Sequence, residues 1–384
     1  MHILIISTGY PTDFVPLDGI FYRDQAEALA LAGNKVGFIA VTPISIISVL
    51  QYKKFNLGLS LFNEKGVETY LYKYINIPKC PTCCVKKAEK KGADIFEEYV
   101  KKHGLPEIIH LHCYEAILLA MYIKKKYRVP FVITEHSSRF MNDMVPDSMK
   151  KYAMMAFTES GCNISVSEKF AEVLEFGYGH KFHYVPNIVD TNFYKPAGTL
   201  GEKKEFIFLS AGILNDNKNH DLLLRSFKLL ISSGRKAKLV IAGNGPAAAK
   251  LNSVVKELMI EEQVTFSGWI SRGKLSQMMN GASVFVLTSK KETFGVVLIE
   301  AMSCGIPIIS TKSGGPESII RSKKTGILCE HDEQTLFLAM QEVYDKFAAY
   351  DSAVIRQEAL ENYSHKAVSK QLVSIYNKVL KKND

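Results

Sequence analysis

The sequence predicts an α/β protein built from two doubly wound parallel-sheet domains facing a cleft. Three observations predict it: short apolar runs alternating with amphipathic segments from end to end, a length of 384 residues, and a proline- and glycine-bearing break at 187–201. Buried runs of four or five residues separated by helix-length amphipathic stretches are the pattern of strands joined by crossover helices, which makes parallel sheets. A chain this long is expected to divide into more than one core.

Taken in order, strands are expected at 3–7, 36–40, 108–111, 131–133, 206–210, 238–241, 284–287 and 307–310. Helical periodicity is clearest at 21–32, 221–231 and 296–302. Val185-Pro186-Asn187 closes one unit, and Lys195-Pro196-Ala197-Gly198 through Gly201 reads as a linker before a fresh strand. The domains are therefore set at 1–192 and 193–363, with 364–384 as a terminal helix. That helix carries an apolar stripe of Ala367, Val368, Leu372, Ile375, Tyr376 and Val379, which needs a partner surface.

Composition narrows the function. With 47% hydrophobic and 23% charged residues, the chain is expected to fold throughout. The net charge of +9 is spread over both halves, so no nucleic-acid arm is indicated, whereas anionic ligands or an acidic membrane face suit it. Lysines cluster at Lys86, Lys87, Lys90 and Lys91 and at Lys124, Lys125 and Lys126; solvated helix faces give the same pattern. The opening Met1-His2-Ile3-Leu4-Ile5-Ile6-Ser7 has no basic flank or cleavage site and reads as a first strand, not a signal peptide. The apolar stretch 36–50 is too short and too interrupted, at Thr42, Pro43, Ser45 and Ser48, to span a bilayer. A cytoplasmic protein, or one at the inner membrane face, is expected.

Seven cysteines, an odd number, argue against a disulfide framework. Cys80, Cys83 and Cys84 lack a fourth ligand for a closed zinc site and are read as reduced loop thiols. His110 and His112 are read as lying on opposite sides of their strand, hence as structural or cleft-lining residues and not a metal pair.

The most informative stretch is 283–302. A strand ends near Thr288, and a helix follows with Thr293 as its expected cap. Phe294, Gly295 and Val296 then supply the first free amides, and the helix dipole favours an anion such as a pyrophosphate. Glu292 precedes the helix and Glu300 lies roughly 10 Å along it. Carboxylates at that separation can take the hydroxyl-bearing rings on either side of a diphosphate, as in a nucleotide sugar; the same spacing also fits two exposed helix-end charges.

The run from Glu292 to Glu300, followed by Ala301-Met302-Ser303-Cys304-Gly305-Ile306-Pro307-Ile308-Ile309 and Gly314-Gly315-Pro316-Glu317, resembles glycosyltransferase family 4, retaining enzymes of the two-domain GT-B fold with Rossmann-like halves. Gly19-Ile20-Phe21, Ile109-His110-Leu111-His112, Thr134-Glu135-His136, Val185-Pro186-Asn187-Ile188-Val189-Asp190 and the stretch 363–380 resemble further family segments in order. The resemblance implies that the first domain faces the acceptor and the second binds the donor. It gives Lys218 to the diphosphate, Glu300 to the ribose and Glu292 to the hexose. Phe294, Gly295 and Val296 go to hexose and phosphate, His136 to the reacting carbon, and Gly19 to the donor phosphates or acceptor. Trp269 and Ile270 are placed near the base. One departure stands out: Ile213 occupies the position of a second phosphate-binding cation, with Arg272 as a candidate substitute.

The implied function is transfer of a hexose from a UDP- or GDP-linked donor to a glycan or lipid-linked acceptor, without metal or other cofactor, in cell-surface polysaccharide assembly. A nucleotide-sugar 2-epimerase and a non-catalytic nucleotide-sugar-binding protein are the alternatives. A dinucleotide dehydrogenase is disfavoured, because the first strand runs into Ser7-Thr8-Gly9-Tyr10-Pro11 and not G-x-G-x-x-G.

Overall fold

Strand β1 (His2–Ser7) is buried along almost its whole length, as a strand covered on both faces must be. It lies inside the first of two units that the computed structural model contains. The structure describes all residues except 13, 14, 16, 17, 47–55, 77–80, 198–204 and 384. The first unit comprises Met1–Ile188 and His365–Asp384, and the second Val189–Ser364.

In the first unit β1 is joined by β2 (Lys35–Ser45), β3 (Gly58–Glu64), β4 (Val67–Asn76), β5 (Ile108–His112), β6 (Phe131–Glu135), β7 (Asn163–Ser165) and β8 (Phe182–Tyr184). They form one eight-stranded sheet in the order β3-β4-β2-β1-β5-β6-β7-β8. All neighbours are parallel except β3 and β4. That hairpin is absent from the sequence-predicted strands. Its turn, Lys65-Gly66, has φ of 49° and 85°, the doubly left-handed geometry that matches strand twist in a tight hairpin. Strands β7 and β8 are three residues each, too short to leave a periodic signal.

The terminal helix, His365–Asn383, supplies Val368, Leu372, Tyr376 and Val379 to the same core as Ile3, Ile5, Ala26 and Leu29. Its stripe thus has its partner within the first unit. Gly161 lets the helix approach closely: a Cβ there would stand 2.6 Å from a Val379 methyl group and would force it to shift.

The second unit holds β9 (Ile207–Ala211), β10 (Lys238–Ala242), β11 (Val264–Gly268), β12 (Val284–Leu287), β13 (Ile308–Thr311) and β14 (Gly326–Cys329). This six-stranded sheet has the order β11-β10-β9-β12-β13-β14, parallel throughout. Strand order reverses beside β9, and ligands bind α/β sheets at the carboxyl ends of strands flanking such a point. In the first unit the reversal falls between β1 and β5.

The cysteine reading is corrected in part. Cys83 is disulfide-bonded and Cys84 is a free thiol, while Cys80 lies outside the described residues. An odd count requires only that one thiol stay unpaired and does not say which. Among the described residues, no helix is long and apolar enough to cross a membrane.

Truncating Leu372, fully buried at the centre of the terminal helix, should cost about 2–5 kcal/mol through lost burial and a residual cavity. Urea unfolding of Leu372→Ala measures it; a change well under 1 kcal/mol would mean that the helix does not anchor this core.

Candidate functional site

Two loops leave the carboxyl ends of β9 and β12, and hydrogen bonds knit them together. Thr288 Oγ1 donates to the Lys218 carbonyl at 2.9 Å, and Lys290 N donates to the Asn217 carbonyl at 2.7 Å. The Asn217 amide grips the other loop from both sides, accepting from Lys291 N and donating to Lys291 O. Lys218 and Glu292 are held on these interlocked loops, and Lys218 Nζ meets Glu292 Oε2 at 2.7 Å. Ser289 Oγ donates to the same carboxylate oxygen at 3.0 Å. Both partners keep solvent access, at 22% and 19% side-chain exposure. Thr288, Ser289 and Asn217 escaped the sequence reading, because polar loop residues leave no periodic signal.

The helix at the tip begins later than expected. It runs Val296–Ser303, with Gly295 as its cap at φ 100° and no side-chain cap bond. Thr293 is therefore not the cap. Glu292 N donates to Ser313 O and pairs with Gly314 in an isolated parallel bridge; residue 293 then bends, and the helix starts only after Gly295, which tolerates positive φ. Phe294 is buried, edge-on to Tyr363 at 6.0 Å between centroids. The first-turn amides of Val296 and Val297 precede the first helical bond, Leu298 N to Gly295 O. Both residues are half-buried, so the tip is open.

With the helix starting at 296, Glu300 sits about 6 Å along it, not 10 Å. Its side chain is buried and lies 3.9 Å from Arg272 Nη2. Arg272 in turn stacks over Phe193 and Tyr194, 5.7 Å from each ring. Burial, then the Glu300 charge, push the Tyr194 phenol up, and the same causes push the Cys304 thiol up to about 12. Arg272 thus partners Glu300. Ile213, where a second cation was missed, is 58% exposed. Trp269, 68% exposed, follows the end of edge strand β11, with Ile270 beside it.

The glycine pair 314–315 has a structural reason. A Cβ on Gly315 would fall 2.3 Å from Phe294 Cα, and Glu317 accepts from the amides of Ser313 and Gly314. The segment therefore buttresses the helix tip. A larger cavity, about 1170 Å³, opens among Glu205, Phe206, Lys238, Ser283 and Pro307, at the amino ends of the strands. It holds no predicted site residue and lies at the wrong end of the sheet for a ligand of this fold.

In the first unit His136 follows β6, and its Nε2 hydrogen-bonds His112 Nδ1 at 3.0 Å. The placement of His110 and His112 on opposite sides is corrected: their rings stack at 4.3 Å, because residues two apart on a strand share a face. His110 spends both nitrogens on Tyr376 and Thr134, each at 2.7 Å, so neither is left for a metal. Burial, with His136 adding to it at His110, holds His110 and His136 down at about 3. Burial likewise drives His112 well down. All three are neutral at neutral pH.

Beneath them Glu135 accepts from the amides of His136, Ser137 and Tyr114. Burial, then the Glu115 carboxylate, raise it to about 8, so this acid pair retains a proton near neutrality. Gly19 caps the helix Ile20–Leu31 at φ 67°, and a Cβ there would strike the Gly9 backbone at 2.6 Å. Packing against residues 9 and 10 is thus its immediate need.

The chain matches a family model described as glycosyl transferases group 1 over residues 195–346, and one described as glycosyltransferase family 4 over residues 91–193. It is 24% identical to an uncharacterized glycosyltransferase of Methanocaldococcus jannaschii over 98% of each chain. It is 25% identical to N-acetyl-alpha-D-glucosaminyl L-malate synthase of Bacillus anthracis, over 87% of this chain and 85% of that one. Among solved structures, sucrose-phosphate synthase from Thermosynechococcus elongatus superposes with a TM-score of 0.76 at 19% identity over 99% of both chains. The HepE protein of Anabaena in complex with UDP gives 0.74 at 17% identity, over 98% of this chain and 100% of that one. At such identities the structural likeness speaks to the fold.

The buried groups set a two-sided pH response. The histidines, lowered from 6.5, give stability that is present above 6.5 and lost as pH falls towards 3. Glu135, raised from 4.5, gives stability that is present below 4.5 and lost as pH rises through about 8. Between 4.5 and 6.5 the two oppose each other. The unfolding midpoint should fall from pH 6.5 to 8.5, and Glu135→Gln should flatten that limb; an equal alkaline slope in the variant would show that the acid pair is not its source.

Proposed function

The chain belongs to glycosyltransferase family 4, in the two-domain GT-B fold, and from that premise we propose that it is a retaining hexosyltransferase. It takes the hexose from a UDP- or GDP-linked donor and passes it to a glycan or lipid-linked acceptor, in the assembly of cell-surface polysaccharide. The observation that carries this reading is the Lys218–Glu292 pair beside the open, glycine-capped tip of Val296–Ser303. A cation, free amides and a hydroxyl-binding carboxylate converge there at the carboxyl end of a parallel sheet.

Each group has a chemical task. The diphosphate gains negative charge as it leaves, so Lys218 and the amides of Gly295, Val296 and Val297 stabilise it more in the transition state than in the ground state. Glu292, released from Lys218 by the competing phosphate, accepts from hexose hydroxyls. Glu300, oriented by Arg272, takes the ribose hydroxyls, while Trp269 and Ile270 lie on the base side. The acceptor oxygen bonds to the anomeric carbon as the bond from that carbon to the diphosphate oxygen breaks. The electron pair stays on the diphosphate, and the hydroxyl proton passes to a diphosphate oxygen on the same face, so configuration is retained. With Lys218 and the helix tip supplying positive charge, the reaction proceeds without a metal. His136, a neutral imidazole, contributes hydrogen bonding to the substrate and not a positive charge.

A peripheral membrane setting, on the cytoplasmic face, finds support on the first unit. Leu59 and Leu61 are exposed on edge strand β3 and register with Tyr72 and Tyr70 of β4. Lys87 lies 4.1 Å over the ring of the nearby Tyr74. The exposed leucines and Lys87 suit the headgroup region of an anionic bilayer, with the buried rings of Tyr70 and Tyr74 packed behind them.

Lys218→Ala and Glu292→Ala should each lower turnover by roughly two to three orders of magnitude, the range for losing one preorganised charge contact to the reacting group. Following nucleoside diphosphate release with and without acceptor measures this. Near-normal transfer by either variant contradicts the assignment, and acceptor-independent release yielding a rearranged free sugar would favour an epimerase.

A further inference from the structure

Cys113 stands where β5 ends, with φ 61° and ψ 151°. Glycine takes that backbone region readily, and a residue with a side chain almost never does. Arg128 and Asn219 also have positive φ, but with ψ of 22° and 46° they occupy the ordinary left-handed helical region. Cys113 is strained in a way that those two are not. Both flanks hold its turn in place. Cys113 N donates to the Thr134 carbonyl of β6 at 3.0 Å, and on the other side Tyr114 N donates to Glu135 Oε2 at 3.3 Å. A conformation of this kind persists only where the surroundings over-determine it, and such residues gather at functional sites.

What the strain secures lies on the side chain. Cys113 is 6% exposed, and its Sγ and the Tyr22 hydroxyl hydrogen-bond each other at 3.2 Å. The Tyr22 ring stacks on His112 at 4.7 Å and tilts against His136 at 5.1 Å. Tyr22, Cys113 and His136 all line a cavity of about 660 Å³. His136 Nε2 is occupied by His112, which leaves Nδ1 shielded from solvent and without a hydrogen-bond partner among the described residues. An imidazole held by one hydrogen bond can still swing about it, and a ring packed against its face stops that. Glycine at 113 would take the turn without strain but would leave the Tyr22 hydroxyl untethered. Burial, then the Glu135 and Glu115 carboxyls, push the Cys113 thiol well up, so it is no nucleophile. Its role is geometric.

We propose that Cys113 is a positioning residue for the transfer reaction: the strained turn brings its thiol to Tyr22, and the Tyr22 ring holds the His136 imidazole so that the direction of Nδ1 is fixed. The proposal rests on the glycosyl-transfer reading for the substrate contact of His136 and on this chain's own geometry for the rest.

Two substrate-free measurements test it. Glycine ordinarily lowers stability relative to alanine, so Cys113→Gly melting about 2 °C or more above Cys113→Ala marks strain at this turn; the usual order overturns it. Long-range proton–nitrogen spectra of the histidine rings at neutral pH report the tautomer of His136. Wild type and Cys113→Ser should show one tautomer, whereas Cys113→Ala and Tyr22→Phe should show the averaged shifts of a ring free to turn. An unchanged spectrum in either of the latter, or equal averaging in Cys113→Ser, overturns the proposal. Nucleoside diphosphate release from UDP-glucose, UDP-N-acetylglucosamine and GDP-mannose adds a kinetic readout. In Cys113→Ala kcat should fall about ten- to a hundredfold with donor KM unchanged, and the double variant with Tyr22→Phe should lose no more than either alone. A raised KM at normal kcat, or losses that multiply, overturns it. If wild type releases no nucleotide from these donors, the transfer reading fails, while the ring spectra still decide the positioning.

Discussion

An ammonium and a carboxylate 2.7 Å apart, Lys218 and Glu292, meet only because strand order brings the ends of β9 and β12 together. The residues are 74 positions apart in sequence. Asn217 and Thr288 fasten one loop to the other, so the pair rests on a frame that does not itself need the ion pair. With both side chains only about one-fifth exposed, the loss of hydration offsets much of their mutual attraction, so the pair adds little net stability. In the proposed reaction a diphosphate at the neighbouring helix tip displaces Glu292 from Lys218, and a frame held by neutral hydrogen bonds survives the exchange. Weakness of the ion pair and rigidity of its supports are both needed for a binding site.

The first unit solves a different problem. It buries three imidazoles, two carboxyls and a tyrosine hydroxyl near the ends of its central strands, and it does so with the groups largely neutral. Neutral groups cost less to bury than charged ones. Hydrogen bonds such as those from His110 to Thr134 and Tyr376 fix their orientation. Because Tyr376 comes from the terminal helix, the end of the chain helps to set the imidazole array beside which the cavity opens. Several polar atoms there, His112 Nε2, His136 Nδ1, the Tyr114 hydroxyl and Glu115 Oε2, have no hydrogen-bond partner among the described residues.

The parts of the fold legible in the sequence are those with a strong period or a strong breaker. Each predicted strand recurs, and the helices at 21–32 and 221–231 differ from Ile20–Leu31 and His220–Ser232 by one residue at each end. The β3–β4 hairpin had a signal in Lys65-Gly66 between alternating runs, but it interrupts the α/β alternation and was passed over. At the site, residue types and spacing pointed to Glu292 and the helix tip, whereas Lys218 came from the family resemblance alone. Thr293 was misassigned as the cap because preference for a hydroxyl at that position cannot see that residue 292 pairs with 314 in an extended bridge. Glu115, Asn217 and Ser289 were illegible for a common reason: their roles come from what lies across from them in space, and a lone polar residue in a loop carries no record of that.

The account turns on whether the amides at the start of Val296–Ser303 meet a diphosphate. Backbone amide resonances followed by transverse-relaxation-optimised NMR during titration with UDP and with GDP test this directly. The account predicts that Gly295, Val296 and Val297 show the largest downfield amide proton shifts with one of the two, and little with uridine or guanosine. Nucleotide binding that shifts resonances elsewhere in the second unit but leaves those three unmoved would contradict it.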